Sequence, residues 1–214
     1  KDQSFRYVID NIFSYNNEWN KLIYSVMLGH SFEKYTYEQF GAKSDNYANG
    51  AFPSSNFDLI NAGPNIYAGN ISYTSYALES YFGRIALNWD NKYILNASLR
   101  SDGSSRFAKN KRYGYFPSAS FAWRISGEDF FTKAKFLSFV DDLKLRASYG
   151  VTGNFQIGNY DHLSLMASDN YILGTGNGQL VNGYKPSTIK NEDLSWEKNA
   201  MVNVGIDLQM FKGL

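Results

Sequence analysis

The fold of this chain is decided by residues 77–103, which read ALESYFGRIALNWDNKYILNASLRSDG. Apolar residues occupy every second position on both sides of Asp90-Asn91-Lys92, and polar or small residues occupy most positions between them. Successive side chains of a β-strand point to opposite faces, so this alternation predicts two strands that share one apolar face across a short turn. That apolar face requires a partner, which is either a second sheet or lipid.

The same alternation continues on both sides of this hairpin. It predicts about seven antiparallel strands in an up-and-down meander, and the further ones are at about residues 4–15, 22–32, 113–126, 143–151 and 199–210. Asn16-Asn17-Glu18 predicts the first turn, and Ser126-Gly127-Glu128-Asp129 predicts the start of a short helix. Pro117 predicts a bulge or an irregular stretch, because proline donates no hydrogen bond to the sheet.

The connections between these strands alternate between short and long. Residues 16–19 and 90–92 are short connections, whereas residues 34–75 and 153–193 lose the alternation and are predicted as long loops. Every second connection of a meander lies at the same end of the sheet, so one end has tight turns and the other has long loops. Outer-membrane barrels have this arrangement, with short periplasmic turns and longer outer loops.

The composition favours β structure and excludes several functions. Aromatic residues make up 17% of the chain, with 18 Gly and 4 Pro, which suits strands and turns. The net charge of +1 argues against nucleic acid as a partner, and the absence of Cys excludes thiol catalysis. No run reaches the roughly 18 apolar residues of a membrane helix. The mean hydropathy of −0.41 fits a soluble protein and also a membrane barrel, whose inward half is polar.

Strand length favours lipid as the partner of the apolar face. The alternating runs repeatedly exceed the roughly 5–6 residues of a globular strand and match the roughly 9–11 that a tilted membrane strand needs. The alternative is a soluble, surface-attached β-rich module that binds glycans or acts as an adhesin. In a barrel, the residues on the polar face are predicted to line the lumen: Arg84, Asn96, Arg100, Arg124, Lys144, Arg146, Asn203 and Asp207.

Five ordered motifs carry a family resemblance. They are Tyr81 to Arg84, Tyr93 to Ser105, Tyr115 to Arg124, Leu145 to Asn154 and Asn191 to Lys198. In order and spacing they resemble the β-barrel of SusC/RagA-type TonB-dependent outer-membrane transporters. The resemblance runs from about residue 77 to the end of the sequence, and the earlier residues fit by alternation.

The resemblance implies a barrel of about 22 strands in the outer membrane of a Gram-negative bacterium. It also implies an N-terminal plug that receives energy through TonB, and a SusD-like surface lipoprotein as a lid. The cargo of such transporters is a glycan, an oligosaccharide or a peptide. Residues 1–214 are expected to form an incomplete segment of this barrel, without the plug domain and the TonB box.

The loop aromatics are the predicted contacts to substrate or lid. They are Tyr35, Tyr37, Phe40, Tyr47, Phe52, Tyr171, Tyr184 and Trp196. Each of them either stacks on a ligand or packs one loop against another, and packing is favoured for any single residue. No catalytic motif surrounds His30 or His162, so the chain is not expected to be an enzyme. No cofactor is predicted, and calcium at a loop carboxylate is left open.

Overall fold

The computed structural model describes residues 2–45, 65–134, 136, 139–174 and 178–211, and β-strands account for most of them. The strands are β1 (Asp2–Trp19), β2 (Leu22–Asp45), β3 (Asn65–Trp89), β4 (Tyr93–Ser104), β5 (Tyr113–Arg124), β6 (Val140–Asn154), β7 (Met166–Ser168), β8 (Tyr171–Leu173), β9 (Gln179–Val181), β10 (Tyr184–Pro186) and β11 (Glu197–Met210). A 3-10 turn (Ile125–Gly127) and helix α1 (Asp129–Thr132) follow β5. Among the described residues, no helix is long and apolar enough to cross a membrane.

Seven strands form one sheet, in the order β1-β2-β3-β4-β5-β6-β11. Each neighbour is the next long strand in the chain, and the pairings from β3 through β4, β5 and β6 to β11 are antiparallel. The predicted all-β antiparallel meander is therefore confirmed. Strands β7 with β10 and β8 with β9 form two small sheets within the segment that connects β6 to β11.

The predicted loop over residues 34–75 is wrong in extent. Strand β2 continues to Asp45 and β3 begins at Asn65, so both ends of the predicted loop belong to strands. The alternation fails there because neither face is apolar throughout: Tyr35 and Tyr37 lie on one face and Phe40 on the other. Regular hydrogen bonding thus extends beyond the residues that hydrophobic periodicity can identify.

The short turns use residues with positive φ. Asp90 and Asn91 have φ of 54° and 53°, the left-handed conformation that both central residues of a type I′ hairpin turn require. The first turn lies at Asn20-Lys21 and not at Asn16-Asn17-Glu18, because β1 continues to Trp19. Asn20 has φ of 54°, and asparagine tolerates this conformation better than most residues.

Pro117 lies within β5 without breaking its pairing to β4, where it faces Leu99. The pairing of β5 with β6 begins one residue later, at Ser118 and Gly150. The predicted irregularity therefore affects one edge of the strand, the edge at which the missing N–H ends the ladder. The predicted short helix is present as α1, although no side chain caps it.

The contacts divide the chain into two compact units, residues 1–8 with 33–77, and residues 9–32 with 78–214. In the first unit, the Arg6 guanidinium lies 2.8 Å from a carboxylate oxygen of Glu33, and the Tyr76 hydroxyl donates to the other oxygen at 3.1 Å. The Tyr35 and Tyr76 rings stack with centroids 5.3 Å apart. These contacts connect three strands within that unit.

In the second unit, the strand register sorts side chains into apolar and polar rows. One row across five strands is apolar: Leu87, Leu95, Phe121, Ala147 and Val204. The adjacent row on the opposite face is small and mostly polar: Ala86, Asn96, Ser120, Ser148 and Asn203. The apolar face is unusually open to its surroundings, with Val204 80% exposed and Val202 70% exposed. The sheet is therefore two-sided, and no described element covers its apolar side.

Candidate functional site

The polar face of the second unit holds a shallow groove. Its walls are formed by residues of β3, β4, β5, β6 and β11: Arg84, Asn96, Ser98, Ser118, Ser120, Arg146, Ser148, Asn199 and Asn203. Amide and hydroxyl groups are the commonest polar side chains among these residues, and apolar residues such as Ile94 and Met201 also line the groove. A polar occupant can form many hydrogen bonds here at low cost in side-chain ordering.

Several of these groups already hydrogen-bond to each other across strands. Ser98 and Ser118 share a hydrogen bond of 2.8 Å, and the Asn96 amide donates to the Ser120 hydroxyl at 3.4 Å. The Arg84 guanidinium donates to the Asn96 carbonyl oxygen at 3.4 Å. Arg84 has no carboxylate within ion-pair distance in the described part of the chain. It is therefore a cation that an anionic group of an occupant can approach.

The end of the groove near the short turns is an ion-pair cluster. Asp207 on β11 accepts from Lys144 at 3.0 Å and lies 3.2 Å from Arg146, both of which are on β6. Arg124 pairs with Asp142 at 2.8 Å, and the Ser126 hydroxyl donates to the same carboxylate. These ion pairs are partly exposed, so each adds only about 0–1 kcal/mol to stability. Their clearest effect is to fix the orientation of long cationic side chains along the groove.

At the other end of the strands, Arg100 is held on three sides. It donates to Asp102 at 2.7 Å and to the Ser80 hydroxyl at 3.0 Å, and it lies over the Phe82 ring at 5.5 Å. All eight residues predicted to line a lumen thus lie on one face of the sheet. Their assignment to a lumen remains a prediction, because it depends on how a barrel closes around them.

A buried aromatic cluster lies where the polar face meets the long loops. We call Phe107, Phe116, Trp196 and Phe155 the aromatic anchor. Phe107 is fully buried, and Phe116 and Trp196 are 7% and 8% exposed. The Trp196 ring lies 5.2–5.5 Å from each of the other three rings. The cluster therefore ties the loop after β4 to both ends of the segment between β6 and β11.

Polar contacts complete the anchor. The Trp196 indole N–H donates to the Arg112 carbonyl at 2.7 Å. The Arg106 guanidinium donates to the Asn159 side-chain oxygen at 2.8 Å, and it lies 5.2 Å from the centroid of the Phe155 ring. The His162 Nδ1 lies 2.9 Å from the Arg106 carbonyl oxygen, which fixes Nδ1 as the protonated nitrogen, because a carbonyl only accepts. His162 thus has a structural partner in the backbone of the loop after β4.

Two glycines provide the space for the anchor. A Cβ atom at Gly114 would lie 2.8 Å from the Trp196 ring, and one at Gly153 would overlap the Phe116 ring. Real Cβ atoms almost never approach other heavy atoms below 3.0 Å, so only glycine fits these positions without displacing a ring. Sequence analysis missed this cluster. The available signals were Phe107 alone in a polar loop and Phe116 on the polar face of its strand.

The predicted contact aromatics have different environments. Tyr35 and Tyr37 are half-buried on β2, whereas Phe40 is 53% exposed. Tyr171 and Tyr184 are 67% and 73% exposed, on β8 and β10. Tyr47 and Phe52 lie outside the described residues. Trp196 is inside the aromatic anchor, so its ring packs one loop against another and is not available to a ligand.

Each end of the apolar face carries a carboxylate that accepts from tyrosine. Glu79 accepts from the hydroxyls of Tyr81 at 2.8 Å and Tyr113 at 2.9 Å. In the turn after β5, Glu128 accepts from Tyr93 at 2.6 Å and from the Trp123 indole at 3.1 Å. The Tyr93 and Trp123 hydrogen bonds, with a smaller contribution from Lys92, lower the pKa of Glu128 below its ordinary value. Aromatic rings and anchored carboxylates thus border the apolar rows at both ends.

The geometry has a counterpart in known proteins. The family model described as TonB dependent receptor-like, beta-barrel matches residues 2–213. This chain belongs to that family of receptor barrels. Families of this kind reside in the outer membrane, and their strands present apolar side chains to lipid and polar ones to the lumen.

Among curated relatives of this receptor barrel chain, TonB-dependent receptor P39 of Formosa agariphila is 35% identical over 209 residues, 95% of the chain and 18% of the relative. TonB-dependent receptor SusC of Bacteroides thetaiotaomicron is 37% identical over 145 residues, 65% of the chain and 14% of the relative. The chain therefore spans less than a fifth of the length of either relative. These names confirm the predicted SusC-type relationship and describe receptors, not enzymes.

Solved structures agree with the sequence relatives. The RagAB peptide transporter matches 99% of this receptor barrel chain with a TM-score of 0.78 at 28% identity, and the chain covers 22% of the matched one. The RagAB peptide importer in its open-open state matches the same 99% with a TM-score of 0.71. No group of three or more candidate metal ligands occurs among the residues that the structure describes.

Proposed function

We propose that this chain forms part of the barrel wall of an active transporter in the outer membrane of a Gram-negative bacterium. The transporter imports a glycan, an oligosaccharide or a peptide, together with a SusD-like surface lipoprotein. The observation that carries the proposal is the two-sided sheet of the second unit, with apolar rows on one face and the hydrogen-bonding groove on the other. The similarity to SusC and to the RagAB peptide transporter supports it.

The apolar face has the height of a membrane. Ten residue steps separate Glu79 from Trp89 on β3, which corresponds to about 33 Å along the strand. A strand tilt of about 45° reduces this to roughly 23 Å, close to the apolar band of about 25 Å in outer-membrane barrels. Lipid is then the partner of the exposed apolar rows, and no second sheet is needed.

The polar face is the inner wall in this proposal. Hydroxyl, amide and guanidinium groups bind sugar hydroxyls and peptide amides about equally well, so the groove alone does not select between the two cargo classes. Phe40, Tyr171 and Tyr184 remain proposed contacts to cargo or to the lipoprotein, because they are exposed. In this proposal, the plug domain and the coupling to TonB that supplies the energy are functions of the longer parent protein.

A pair of charge insertions tests the proposal in the full-length protein. Leu87 and Leu95 face each other on β3 and β4, whereas Ser98 lies on the opposite face. Leu87→Arg or Leu95→Arg costs roughly 2–4 kcal/mol in lipid and should reduce the heat-resistant folded form in outer membranes. Ser98→Arg is the matched control and should assemble normally. Equal assembly of all three variants would rule out lipid on the apolar face.

A soluble glycan-binding or adhesin module has no observation in its favour once the chain belongs to a receptor barrel family.

A further inference from the structure

The segment between β6 and β11 contains one long hairpin. Strand pairs β7–β10 and β8–β9 follow a single register, and backbone hydrogen bonds continue it between the two small sheets and before them. The pairs are Leu165 with Ser187, Met166 with Pro186, Ala167 with Lys185, Ser168 with Tyr184, Asp169 with Gly183, Tyr171 with Val181, Ile172 with Leu180 and Leu173 with Gln179. We call residues 165–173 and 179–187 the hairpin arm. Its length is about 27 Å, because residues of an antiparallel strand rise about 3.4 Å each.

The hairpin arm starts at the aromatic anchor. Phe155 and Trp196 belong to the anchor and lie before and after the arm in the sequence, and their ring centroids are 5.5 Å apart. Three residues before the arm, the His162 ring is held at the Arg106 carbonyl. Since the anchor lies where the polar face meets the long loops, the arm begins at the long-loop end of the face that carries the groove.

The register divides the side chains of the hairpin arm between a charged face and an uncharged face. Lys185 and Asp169 lie on the charged face, where they form an ion pair at 3.4 Å. The residues of the uncharged face are Met166, Ser168, Asn170, Ile172, Leu180, Asn182, Tyr184 and Pro186. Ile172, Leu180 and Tyr184 are 62%, 61% and 73% exposed. An isolated two-stranded hairpin is only marginally stable, and exposed apolar side chains in such a place indicate a binding surface.

The residues of the uncharged face also carry the free backbone groups of the hairpin arm. Hydrogen-bonded pairs alternate with non-hydrogen-bonded pairs in an antiparallel ladder. The Asp169 N–H donates to the Gly183 carbonyl, which assigns the odd-numbered residues to the hydrogen-bonded pairs. Ile172 and Leu180 therefore direct their N–H and C=O groups to the outer edges of the arm. In the part of the chain that the structure describes, β8 and β9 form a sheet of two strands, so both edges are open.

We propose that the hairpin arm binds an extended peptide cargo as an added β-strand, with Ile172, Leu180 and Tyr184 in contact with its side chains. The inference rests on the proposed function, in which cargo enters from the long-loop end. A peptide main chain supplies the alternating donors and acceptors that an open strand edge requires, and its apolar side chains cover the uncharged face. An oligosaccharide has no such repeat of N–H and C=O groups, and aliphatic side chains offer no flat ring on which a sugar stacks.

The size of the uncharged face favours a short peptide over a folded protein. A stable interface between two proteins uses about 20–30 residues on each side. The uncharged face has only the eight residues named above. Along one edge, residues 166–173 match an extended peptide of about six to eight residues. The surface lipoprotein is therefore the less suitable occupant, and the experiment includes it as an outcome.

The first test uses the full-length wild-type receptor in detergent, without the lipoprotein. It measures the fluorescence anisotropy of a fluorescein-labelled hexapeptide of alternating valine and threonine, and of two versions that are N-methylated at the valines or at the threonines. When the valines lie on the uncharged face, their N–H groups point to the arm, so methylation there should weaken binding at least about tenfold. The threonine N–H groups point away, so their methylation should change the affinity by about twofold or less.

The second test uses two double variants of the same receptor. Ile172→Thr/Leu180→Thr should weaken binding of the unmethylated peptide about tenfold or more, because two apolar contacts are lost. Leu173→Thr/Val181→Thr is the matched control, since it changes the next residue on each strand, whose side chain points to the opposite face; its affinity should stay within about twofold of the wild type. Retention of the heat-resistant folded form shows that both variants are assembled. The methylated peptides are tested on the wild type, so that result does not depend on the folding of a variant.

Four results would overturn the proposal: no binding of the peptide to the wild type, equal loss of affinity for the two methylated peptides, equal affinity of the two double variants, or displacement of the peptide by maltohexaose at equal concentration. The last result would identify an oligosaccharide as the occupant. Loss of the co-purifying lipoprotein in Ile172→Thr/Leu180→Thr, with unchanged peptide binding, would identify the lipoprotein instead.

Peptide binding is measured without transport, which separates this proposal from the proposed function. A receptor that binds the peptides in the expected pattern and imports no peptide would contradict the proposed function alone. A receptor that imports peptide without this pattern would contradict only the role of the hairpin arm.

Discussion

The glycine slot under Phe116 permits a sharp prediction. Gly153→Ala places a Cβ atom within the Phe116 ring, well under 3.0 Å from its atoms, so the ring has to leave its position between Gly153, Gly114 and Trp196. Overpacking of this kind costs about 1–3 kcal/mol. Gly150→Ala is the matched control on the same strand, because its Cβ would lie 3.6 Å from the nearest atom, on Ser118, an ordinary contact.

Hydrogen exchange of the full-length receptor in detergent measures this cost locally. The hydrogen-bonded amide of Ser104 lies at the end of β4, and those of Phe107 and Lys111 lie in the adjoining loop, which packs on Phe116 through Phe107. A cost of about 1–3 kcal/mol in local opening accelerates their exchange by about 5- to 150-fold, since about 1.4 kcal/mol corresponds to a factor of ten. Gly150→Ala should leave these rates within a factor of two or so of the wild type.

Two results would refute the reasoning. One is unchanged exchange in Gly153→Ala, and the other is equal acceleration in Gly153→Ala and Gly150→Ala. A double variant checks the cause. Phe116→Ala removes the ring that a Cβ atom at position 153 would overlap, so adding Gly153→Ala to Phe116→Ala should accelerate exchange little beyond the rate of Phe116→Ala alone. This non-additivity is expected only if the two positions act through direct contact.

Three further predictions concern the groove, a turn and the anchor. Asp207→Asn should reduce the amount of heat-resistant folded receptor far less than Leu87→Arg does, because partly exposed ion pairs contribute only about 0–1 kcal/mol. The pKa of Glu128 is lowered in the folded turn, so the stabilisation that it contributes is present above the ordinary Glu pKa and is lost as the pH falls through the lowered value. The protection factors of the turn amides, which compare each exchange rate with the intrinsic rate at the same pH, should therefore fall in acid in the wild type, and Glu128→Gln should remove this pH dependence. Trp196→Phe keeps the ring packing but loses the indole hydrogen bond, which should cost about 0.5–1.5 kcal/mol in local opening at the Ser104 amide, whereas Trp196→Ala should cost about 3–5 kcal/mol.

Strand class and face assignment were predictable because they depend on local alternation. The hairpin of residues 77–103 has the predicted pairing, with Leu87 opposite Leu95 and the turn at Asp90-Asn91. Every strand predicted from alternation is present, with boundary shifts at the first turn and at the ends of β2 and β3. The predicted ends of these strands are too early or too late because backbone hydrogen bonding continues beyond the residues at which apolar and polar side chains alternate.

The loops were not predictable in the same way, since their packing depends on residues far apart in the sequence. Phe107, Phe116, Phe155 and Trp196 come from four separate segments and meet only after the strands are aligned. Nothing local distinguishes Trp196, which is buried, from Tyr184, which is 73% exposed. Both were predicted as contacts on equal grounds.

The sequence by itself thus determined the class of fold, the two faces of the sheet and the family, because period-two alternation and ordered motifs are properties of the chain alone. The tertiary structure decided which aromatic side chains are buried and which glycines make room for them. It also decided which cations are paired and which are exposed. These properties depend on distances between side chains on different strands, and a linear pattern does not contain those distances.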